Sequence, residues 1–134
     1  VTPVGGGGLL SGTALAAGEG ITVYGAEPTG ADDAYRGYTS GVRVTSQTPN
    51  TVSDGLRTCL GEINFAVIRR HVAGIGLATD PETLDAMRLV HSRMKQLIEP
   101  SAAVPLACLI NGTIPAGGRI GIIISGGNVD PADL

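Results

Sequence analysis

Four consecutive glycines indicate a chemical function more clearly than any other run in this sequence. They are Gly5, Gly6, Gly7 and Gly8, called the glycine turn below. They follow a short β-rich run at residues 1–4 and precede a helical pattern at residues 9–17. Without a Cβ, the backbone N–H groups of such a turn can converge on one point, and the helix start behind them adds partial positive charge. The pattern is typical of a phosphate cradle. A flexible tight turn is the alternative.

The glycine turn does not fit two common phosphate motifs. In the dinucleotide pattern G-x-G-x-x-G, the sixth residue counted from Gly5 is Leu10, and counted from Gly6 it is Ser11. A P-loop needs Gly-Lys-Ser or Gly-Lys-Thr, which does not follow here. The spacing therefore argues against both nucleotide-binding patterns.

A second glycine-containing run begins at Ser125 and directly follows the apolar residues 120–124. In open α/β sheets, ligands lie at the carboxyl ends of strands, where Ser125 would stand. Gly126 and Gly127 would allow a ligand to approach closely. The alternative is a Gly-Gly turn that only leads the chain away from the sheet.

Two carboxylates, Glu27 and Asp33, flank a turn that contains Pro28 and Gly30. Such a turn can bring both carboxylates to one point, where a backbone carbonyl could complete a set of hard oxygen ligands. These ligands suit Mg²⁺, Ca²⁺ or Mn²⁺ and not zinc. A solvated acidic turn is the alternative.

The remaining candidates carry weaker signals. Glu99 stands at a helix junction, where a solvent-facing helix-end charge is the alternative, and Asp54 is typical of a turn. Two cysteines do not form a disulfide framework in a chain of this size. We therefore interpret Cys59 and Cys108 as reduced thiols.

Composition is typical of a globular domain. The chain has 134 residues, of which 43% are hydrophobic, and a formal net charge of −3. This charge argues against nucleic acid or an anionic membrane as the main partner. No apolar run approaches the ~20 residues of a membrane-spanning helix, and no signal peptide is visible. We therefore expect a cytoplasmic location.

The elements that would position these residues alternate between strands and helices, which predicts an α/β fold. Apolar spacing and Gly and Pro positions predict strands at residues 1–4, 21–26, 74–78 and 119–124, helices at 9–17, 63–72, 79–98 and 101–110, and a long loop at 27–50. Thr79 and Glu82 fit a capping box at the start of the longest helix. The last strand is apolar on both faces, which indicates the interior of a parallel sheet with helices on both sides.

Six runs together resemble the fold-type II pyridoxal-phosphate enzymes, within the branch of serine racemases and serine/threonine dehydratases. The runs are PVGGGGLL from Pro3, GAEP from Gly25, ADD from Ala31, DGLR from Asp54, MKQLIEPS from Met94 and SGGNVD from Ser125. Each run alone is weakly or moderately specific, but they occur in the family's order across almost the whole chain. The resemblance implies the parallel-sheet large domain of the tryptophan synthase β-like fold.

The resemblance implies a role for each matching residue at a pyridoxal 5'-phosphate site. Ser125 would face the pyridine nitrogen, and Glu99 and Asp54 would support the ring and the active site. The implied cofactor-binding residues are Gly5, Gly6, Gly7, Gly8, Leu9, Ser125, Glu99 and Asp54.

The acidic turn matches the family's divalent-metal site. The resemblance implies that Glu27, Asp33 and the carbonyl of Ala31 bind Mg²⁺, or Ca²⁺ or Mn²⁺ in its place. Branched-chain biosynthetic threonine deaminases generally lack the acidic pair, so its presence favours the racemase-like branch. Asn128 would approach a nucleotide effector at a dimer interface, as in some relatives.

The implied activity is β-elimination, in which serine or threonine is dehydrated and deaminated to a 2-oxo acid and ammonia, with serine racemisation as a further reaction. A dehydratase for 3-hydroxyaspartate, of the same branch, is the first alternative. An inactive half-domain that binds a ligand or partner is an alternative of a different class. The resemblance also implies a small amino-acid substrate and a homodimer of the complete enzyme.

The resemblance covers only the C-terminal half of the family. The Schiff-base lysine belongs to the family's N-terminal half, and the one lysine here, Lys95, lies four residues before Glu99, where the family does not have its Schiff-base lysine. We therefore assign no catalytic residue to this chain and expect it to be inactive alone. Residues 1–134 would form the C-terminal portion of the large domain, with the N-terminal segment and the small domain supplied in cis or by a second chain.

Overall fold

A parallel β-sheet forms the centre of the computed structural model, which describes residues 1–130 and 132. Its strands are β1 (Thr2–Pro3), β2 (Tyr24–Pro28) and β3 (Gly74–Ala78), in that order across the sheet. Both pairings are parallel, with Thr2 opposite Gly25 and Tyr24 opposite Gly74. The predicted parallel sheet is therefore confirmed, and β3 has the predicted bounds.

Helices pack around this sheet in two hydrophobic clusters, one with Met87, Val104 and Ala78 and the other with Leu10, Ile68 and Ile75. Because neighbouring residues of a strand point to opposite faces, β3 contributes to both clusters. The helices are α1 (Gly8–Ala17), α2 (Asp33–Ser40), α3 (Glu62–His71), α4 (Asp80–Met94) and α5 (Pro100–Ile110). None of the helices in residues 1–130 combines the length and the hydropathy that crossing a bilayer requires.

The longest helix, α4, begins as predicted and ends earlier. The Thr79 N–H donates to Glu82 Oε2 at 2.7 Å, and the Glu82 N–H donates to Thr79 Oγ1 at 3.4 Å, which forms the capping box. The prediction that this helix continues to residue 98 is wrong, because Lys95 takes a left-handed φ of 56° and ends it. Ile98 then enters the core from the segment that leads into α5.

The predicted long loop at residues 27–50 is also wrong, because α2 lies within it. The buried face of α2 consists of Asp33, Ala34 and Gly37, so the helix has no apolar periodicity that a sequence pattern could detect. Gly37 allows close packing, since an added Cβ would lie 3.2 Å from Phe65 Cε2. Within this range, the stretch after α2, residues 41–50, has no helix or strand.

Residues 119–124 lie beside β1 without the predicted burial. The Val1 nitrogen donates to the Gly121 carbonyl at 2.7 Å, and the Ile123 N–H donates to the Val1 carbonyl at 3.0 Å. Ile120 and Ile124 remain 44% and 41% exposed, so the prediction of a strand buried on both faces is wrong. Within residues 1–130, this segment is hydrogen-bonded to Val1 next to β1, and Ile120, Ile123 and Ile124 are exposed.

Candidate functional site

Glycines from three parts of the chain meet near the carboxyl end of β1. An added Cβ at Gly5 would lie 3.1 Å from the Gly55 carbonyl oxygen, and one at Gly55 would lie 3.1 Å from Ser101 Oγ. At Gly126, an added Cβ would overlap the Glu99 carboxylate. Four runs that the sequence analysis singled out separately are therefore in contact around one site.

The glycine turn leads from β1 directly into α1, and its two sides differ. Gly7 is the N-cap of α1 with a φ of 89°, a left-handed conformation that favours glycine. An added Cβ there would lie 2.6 Å from Leu60 Cδ2 and 2.9 Å from Asn64 Cβ, whereas at Gly6 or Gly8 it would meet open space. One side of the turn thus packs on the core and the other is open.

The backbone N–H groups from Gly5 through Leu9 donate to no acceptor within the described residues. The first turn of a helix leaves its N–H groups without a preceding carbonyl, and no side chain caps α1. The first turn of α1 also contains no acidic residue. Unpaired donors at the positive end of a helix can hold an anion such as a phosphate group, so the glycine turn fits a phosphate-bearing ligand.

Glu99 connects the start of α5 to the run that begins at Ser125. The Glu99 N–H donates to the Gly126 carbonyl at 3.2 Å, and Glu99 Oε2 accepts from the Asn128 N–H at 3.0 Å. Because Glu99 is half-buried and holds this turn, it is more than a solvent-facing helix-end charge. Ser125 and Asn128 themselves are exposed at the edge of the site.

Asp54 lies in a turn, as its sequence context predicts. It begins the 3₁₀ turn Asp54–Leu56, and its Oδ1 accepts from the Gly55 N–H at 2.9 Å. The same N–H donates to Ser101 Oγ at 3.1 Å, which joins the turn to α5. Ser101 ends the run MKQLIEPS, but the sequence alone assigns this residue no role.

The second polar site, called the acidic pocket, is formed by Glu27 and Asp33, and Ala31, the predicted source of a carbonyl ligand, lies two residues before Asp33. Glu27 and Asp33 are only 1% and 2% exposed, so a solvated acidic turn is excluded. The Glu27 carboxylate accepts from the N–H groups of Ala34 at 3.1 Å and Tyr35 at 2.8 Å. The carboxylate therefore caps the start of α2 from the end of β2.

Asp33 is held by two neutral donors in this pocket. Its Oδ1 accepts from Gln47 Nε2 at 2.8 Å, and its Oδ2 accepts from the Leu60 N–H at 3.0 Å. The buried Ala31 carbonyl accepts no hydrogen bond, and neither carboxylate of the pocket forms an ion pair, within the part of the chain that the structure describes. Gln47 is a residue that sequence reasoning missed, since it lies in an irregular stretch with no motif.

Burial controls the protonation of the acidic pocket. It raises the pKa of Glu27 to about 9, the nearby Asp33 charge adds to the shift, and the two N–H donors oppose it. Burial also raises the pKa of Asp33. A bound cation would replace the proton, and two carboxylates with an unpaired carbonyl are ligands that Mg²⁺ or Ca²⁺ prefers. Within residues 1–130, no three His, Cys, Asp or Glu side chains are grouped so that they could hold a metal ion together.

Several known proteins are similar in sequence to this chain. A family model described as "pyridoxal-phosphate dependent enzyme" matches residues 1–126. A serine racemase of Dictyostelium discoideum is 47% identical over 142 residues, which cover 100% of this chain and 44% of that protein. A beta-hydroxyaspartate dehydratase of Paracoccus denitrificans (strain Pd 1222) is 42% identical over 134 residues, which cover 97% of this chain and 42% of that protein.

A solved structure, that of maize serine racemase, has the same fold. It aligns with a TM-score of 0.91 at 37% sequence identity and covers 98% of this chain and 43% of that one. The predicted fold class is therefore confirmed. The chain spans less than half the length of the curated relatives it matches.

Proposed function

Because the chain belongs to the pyridoxal-phosphate-dependent enzymes, we propose that it forms the phosphate-binding part of a serine/threonine dehydratase. The proposed reaction converts serine or threonine to a 2-oxo acid and ammonia, and racemisation of serine is a second reaction of the same site. The serine racemases among the similar proteins support both reactions, because each begins with loss of the Cα proton.

The row of unpaired N–H groups from Gly5 through Leu9 carries this proposal. We assign to the cofactor phosphate the residues Gly5, Gly6, Gly7, Gly8 and Leu9. A phosphate there would satisfy donors that no protein acceptor reaches within residues 1–130, and it would lie at the positive end of α1. The open side of the turn gives it room to enter.

We assign Ser125, Glu99 and Asp54 to the ring end of the cofactor. Bound pyridoxal phosphate acidifies the Cα proton of an amino acid and takes up the electrons that the proton leaves behind. If the Ser125 hydroxyl lies at the pyridine nitrogen, as we propose, it would hold that nitrogen as a neutral partner and would not keep it protonated as a carboxylate would. Glu99 holds the turn after Ser125 through its two hydrogen bonds.

The lysine that anchors the cofactor is assigned to a part of the enzyme outside this chain. Lys95, the one lysine in the sequence, ends α4, where its Nζ donates to the Ser92 carbonyl at 2.6 Å. We propose that residues 1–134 are the C-terminal portion of the large domain. An N-terminal segment and a small domain, in cis or as a second chain, would complete it, and the exposed isoleucines of residues 120–124 offer an uncovered edge for this purpose.

We also assign Mg²⁺, with Ca²⁺ or Mn²⁺ as alternatives, to the acidic pocket. The buried carboxylates of Glu27 and Asp33 and the unpaired carbonyl of Ala31 support this assignment. A cation there would neutralise both carboxylates and tie the end of β2 to the start of α2. For the complete enzyme we propose a cytoplasmic homodimer, with Asn128 near a nucleotide effector.

Two further functions stay open on specific observations. The 42% identity to a beta-hydroxyaspartate dehydratase favours 3-hydroxyaspartate as an alternative substrate. Lys95 is exposed at the end of α4, where its Nζ donates to the Ser92 carbonyl, and this favours a half-domain that binds a ligand or partner without catalysis.

The full-length polypeptide that carries this sequence tests these functions directly. Serine, threonine and 3-hydroxyaspartate would be supplied in turn, and 2-oxo acid, ammonia and D-serine would be measured. We expect 2-oxo acid from serine and a cofactor absorption band. Faster turnover of 3-hydroxyaspartate would transfer the assignment to that substrate. A protein with neither the band nor any product would support the binding module, and borohydride labelling of Lys95 would contradict an anchoring lysine outside this chain.

A further inference from the structure

The Gly6 carbonyl in the glycine turn is held by two donors from the start of α3. The Asn64 Nδ2 donates to it at 2.7 Å, and the Gly61 N–H donates to it at 3.2 Å. The Ser11 Oγ of α1 in turn lies 3.4 Å from the Asn64 carbonyl, to which it donates. The first turns of α1 and α3 are thus joined through the residue that binds the glycine turn.

This hydrogen bond determines the direction of a neighbouring N–H group. In a trans peptide, the carbonyl and the following N–H point in opposite directions. Because the Gly6 carbonyl points to Asn64, the Gly7 N–H points away from α3. That N–H is one of the unpaired N–H groups from Gly5 through Leu9, and the turn has open space beside Gly6 and Gly8.

The Asn64 amide has no competing role in its own helix. Helix α3 begins without any side-chain cap, although Asn64 lies in its first turn. The half-buried side chain instead reaches across to the carbonyl of another segment, 58 positions away in the sequence. Its Cβ also faces Gly7, where it prevents the turn from moving toward α3.

We propose that Asn64 is a positioning residue for the phosphate cradle: its side-chain amide orients the Gly6–Gly7 peptide so that the Gly7 N–H faces the phosphate. The inference rests on the proposed assignment of the glycine turn to the cofactor phosphate. Asn64 touches the peptide and not the ligand, so its removal weakens binding without abolishing it. The second donor, the Gly61 N–H, limits the loss.

The matched pair of variants is Asn64→Leu and Asn111→Leu. Asn111 also donates its Nδ2 to a backbone carbonyl, that of Leu77 at 3.0 Å, but at the end of β3. The dissociation constants of inorganic phosphate, pyridoxal phosphate and pyridoxal would be measured for the full-length polypeptide that carries this sequence, by ³¹P NMR for phosphate and by fluorescence for the others. We expect Asn64→Leu to raise the dissociation constants of inorganic phosphate and pyridoxal phosphate about five- to tenfold and to leave that of pyridoxal unchanged. Asn111→Leu should have the same three dissociation constants as the original chain.

The readouts separate the inference from the function on which it rests. If the original chain binds phosphate and Asn64→Leu has the same dissociation constant, the role of Asn64 is overturned and the assignment of the glycine turn stands. No phosphate binding by the original chain would overturn the assignment of the glycine turn and the inference with it. If Asn64→Leu lowers the melting temperature, Asn64→Gln supplies the second test. It keeps an amide donor, so a dissociation constant nearer the original supports positioning, and one equal to that of Asn64→Leu contradicts it.

Discussion

The two polar sites of this chain are built in opposite ways. The glycine turn presents backbone N–H groups, made accessible because side chains are missing, and it suits an anion. The acidic pocket presents two buried carboxylates, to which we assign a cation. Both lie at the junction of a strand with a helix, at the starts of α1 and α2.

The two sites also differ in how much each lowers the stability of the fold when no ligand is bound. Unpaired N–H groups are present at the start of every helix, and in the glycine turn Gly6, Gly8 and Leu9 are exposed. The acidic pocket instead removes two carboxylates from water, which raises the pKa of both. An empty cradle is therefore nearly neutral for stability, whereas an empty pocket depends on pH.

The largest expected effect is the pH dependence of the acidic pocket. Folded Glu27 keeps its proton up to about pH 9, while the unfolded chain loses it near 4.5. Without a cation, the free energy of unfolding should therefore fall as pH rises between these values, by on the order of several kcal/mol. Glu27→Gln should flatten this dependence, as measured by urea denaturation at a series of pH values.

Glu19→Gln is the matched control, because Glu19 is exposed in the turn after α1. We expect it to keep the pH dependence of the original chain. Equal slopes for Glu19→Gln and Glu27→Gln would contradict a buried, protonated Glu27.

A second test replaces single glycines of the glycine turn with alanine. Gly7→Ala combines a positive φ with an overlap against Leu60, and we expect it to lower the free energy of unfolding by about 3 kcal/mol. Gly8→Ala, at a position with open space, should leave stability nearly unchanged and weaken phosphate binding by narrowing the open side. Urea denaturation with a phosphate titration measures both. Similar stabilities for the two variants would show that the packed side of the turn is not rigid.

A third test concerns cation binding in the acidic pocket. Saturating Mg²⁺ or Mn²⁺ should raise the stability of the original chain by ~2.7 kcal/mol at a concentration 100 times its dissociation constant, and EDTA should reverse the gain. Asp33→Ala should abolish it. Asp32→Ala is the control, because Asp32 pairs with Arg36 outside the pocket at 2.7 Å. A thermal melt without any cation-dependent shift in the original chain would refute the metal assignment.

The smallest expected effect compares the amides that support the two sites. Gln47 donates to Asp33 as Asn64 donates to Gly6, and each orients a group without being a ligand. Gln47→Leu should raise the dissociation constant for Mn²⁺ about tenfold, whereas the exposed Gln96→Leu should not change it. Calorimetric titration measures both dissociation constants. Identical values for Gln47→Leu and Gln96→Leu would show that Gln47 does not orient Asp33 for cation binding.

Local patterns predicted the parts of the fold that depend on nearby residues. The capping box of Thr79 and Glu82, the strand at residues 74–78 and the helix after the glycine turn all occur as predicted. Helix α2 was not predictable in this way, because its buried face is formed by a carboxylate and small residues. Residues 119–124 have the composition of a buried strand, but their exposure depends on what lies beside them.

The sequence by itself determined the chemistry available to this protein: a run of glycines before a helix, an acid pair across a turn, and the family to which their order belongs. Only the tertiary structure decided that Glu27 and Asp33 are buried. It also decided that Asn64 donates to the Gly6 carbonyl and that Gln47 donates to Asp33. The physical reason is distance along the chain. Backbone conformation follows mainly from adjacent residues, whereas burial, and with it pKa and hydrogen-bond partners, is set by segments that meet only in the folded state.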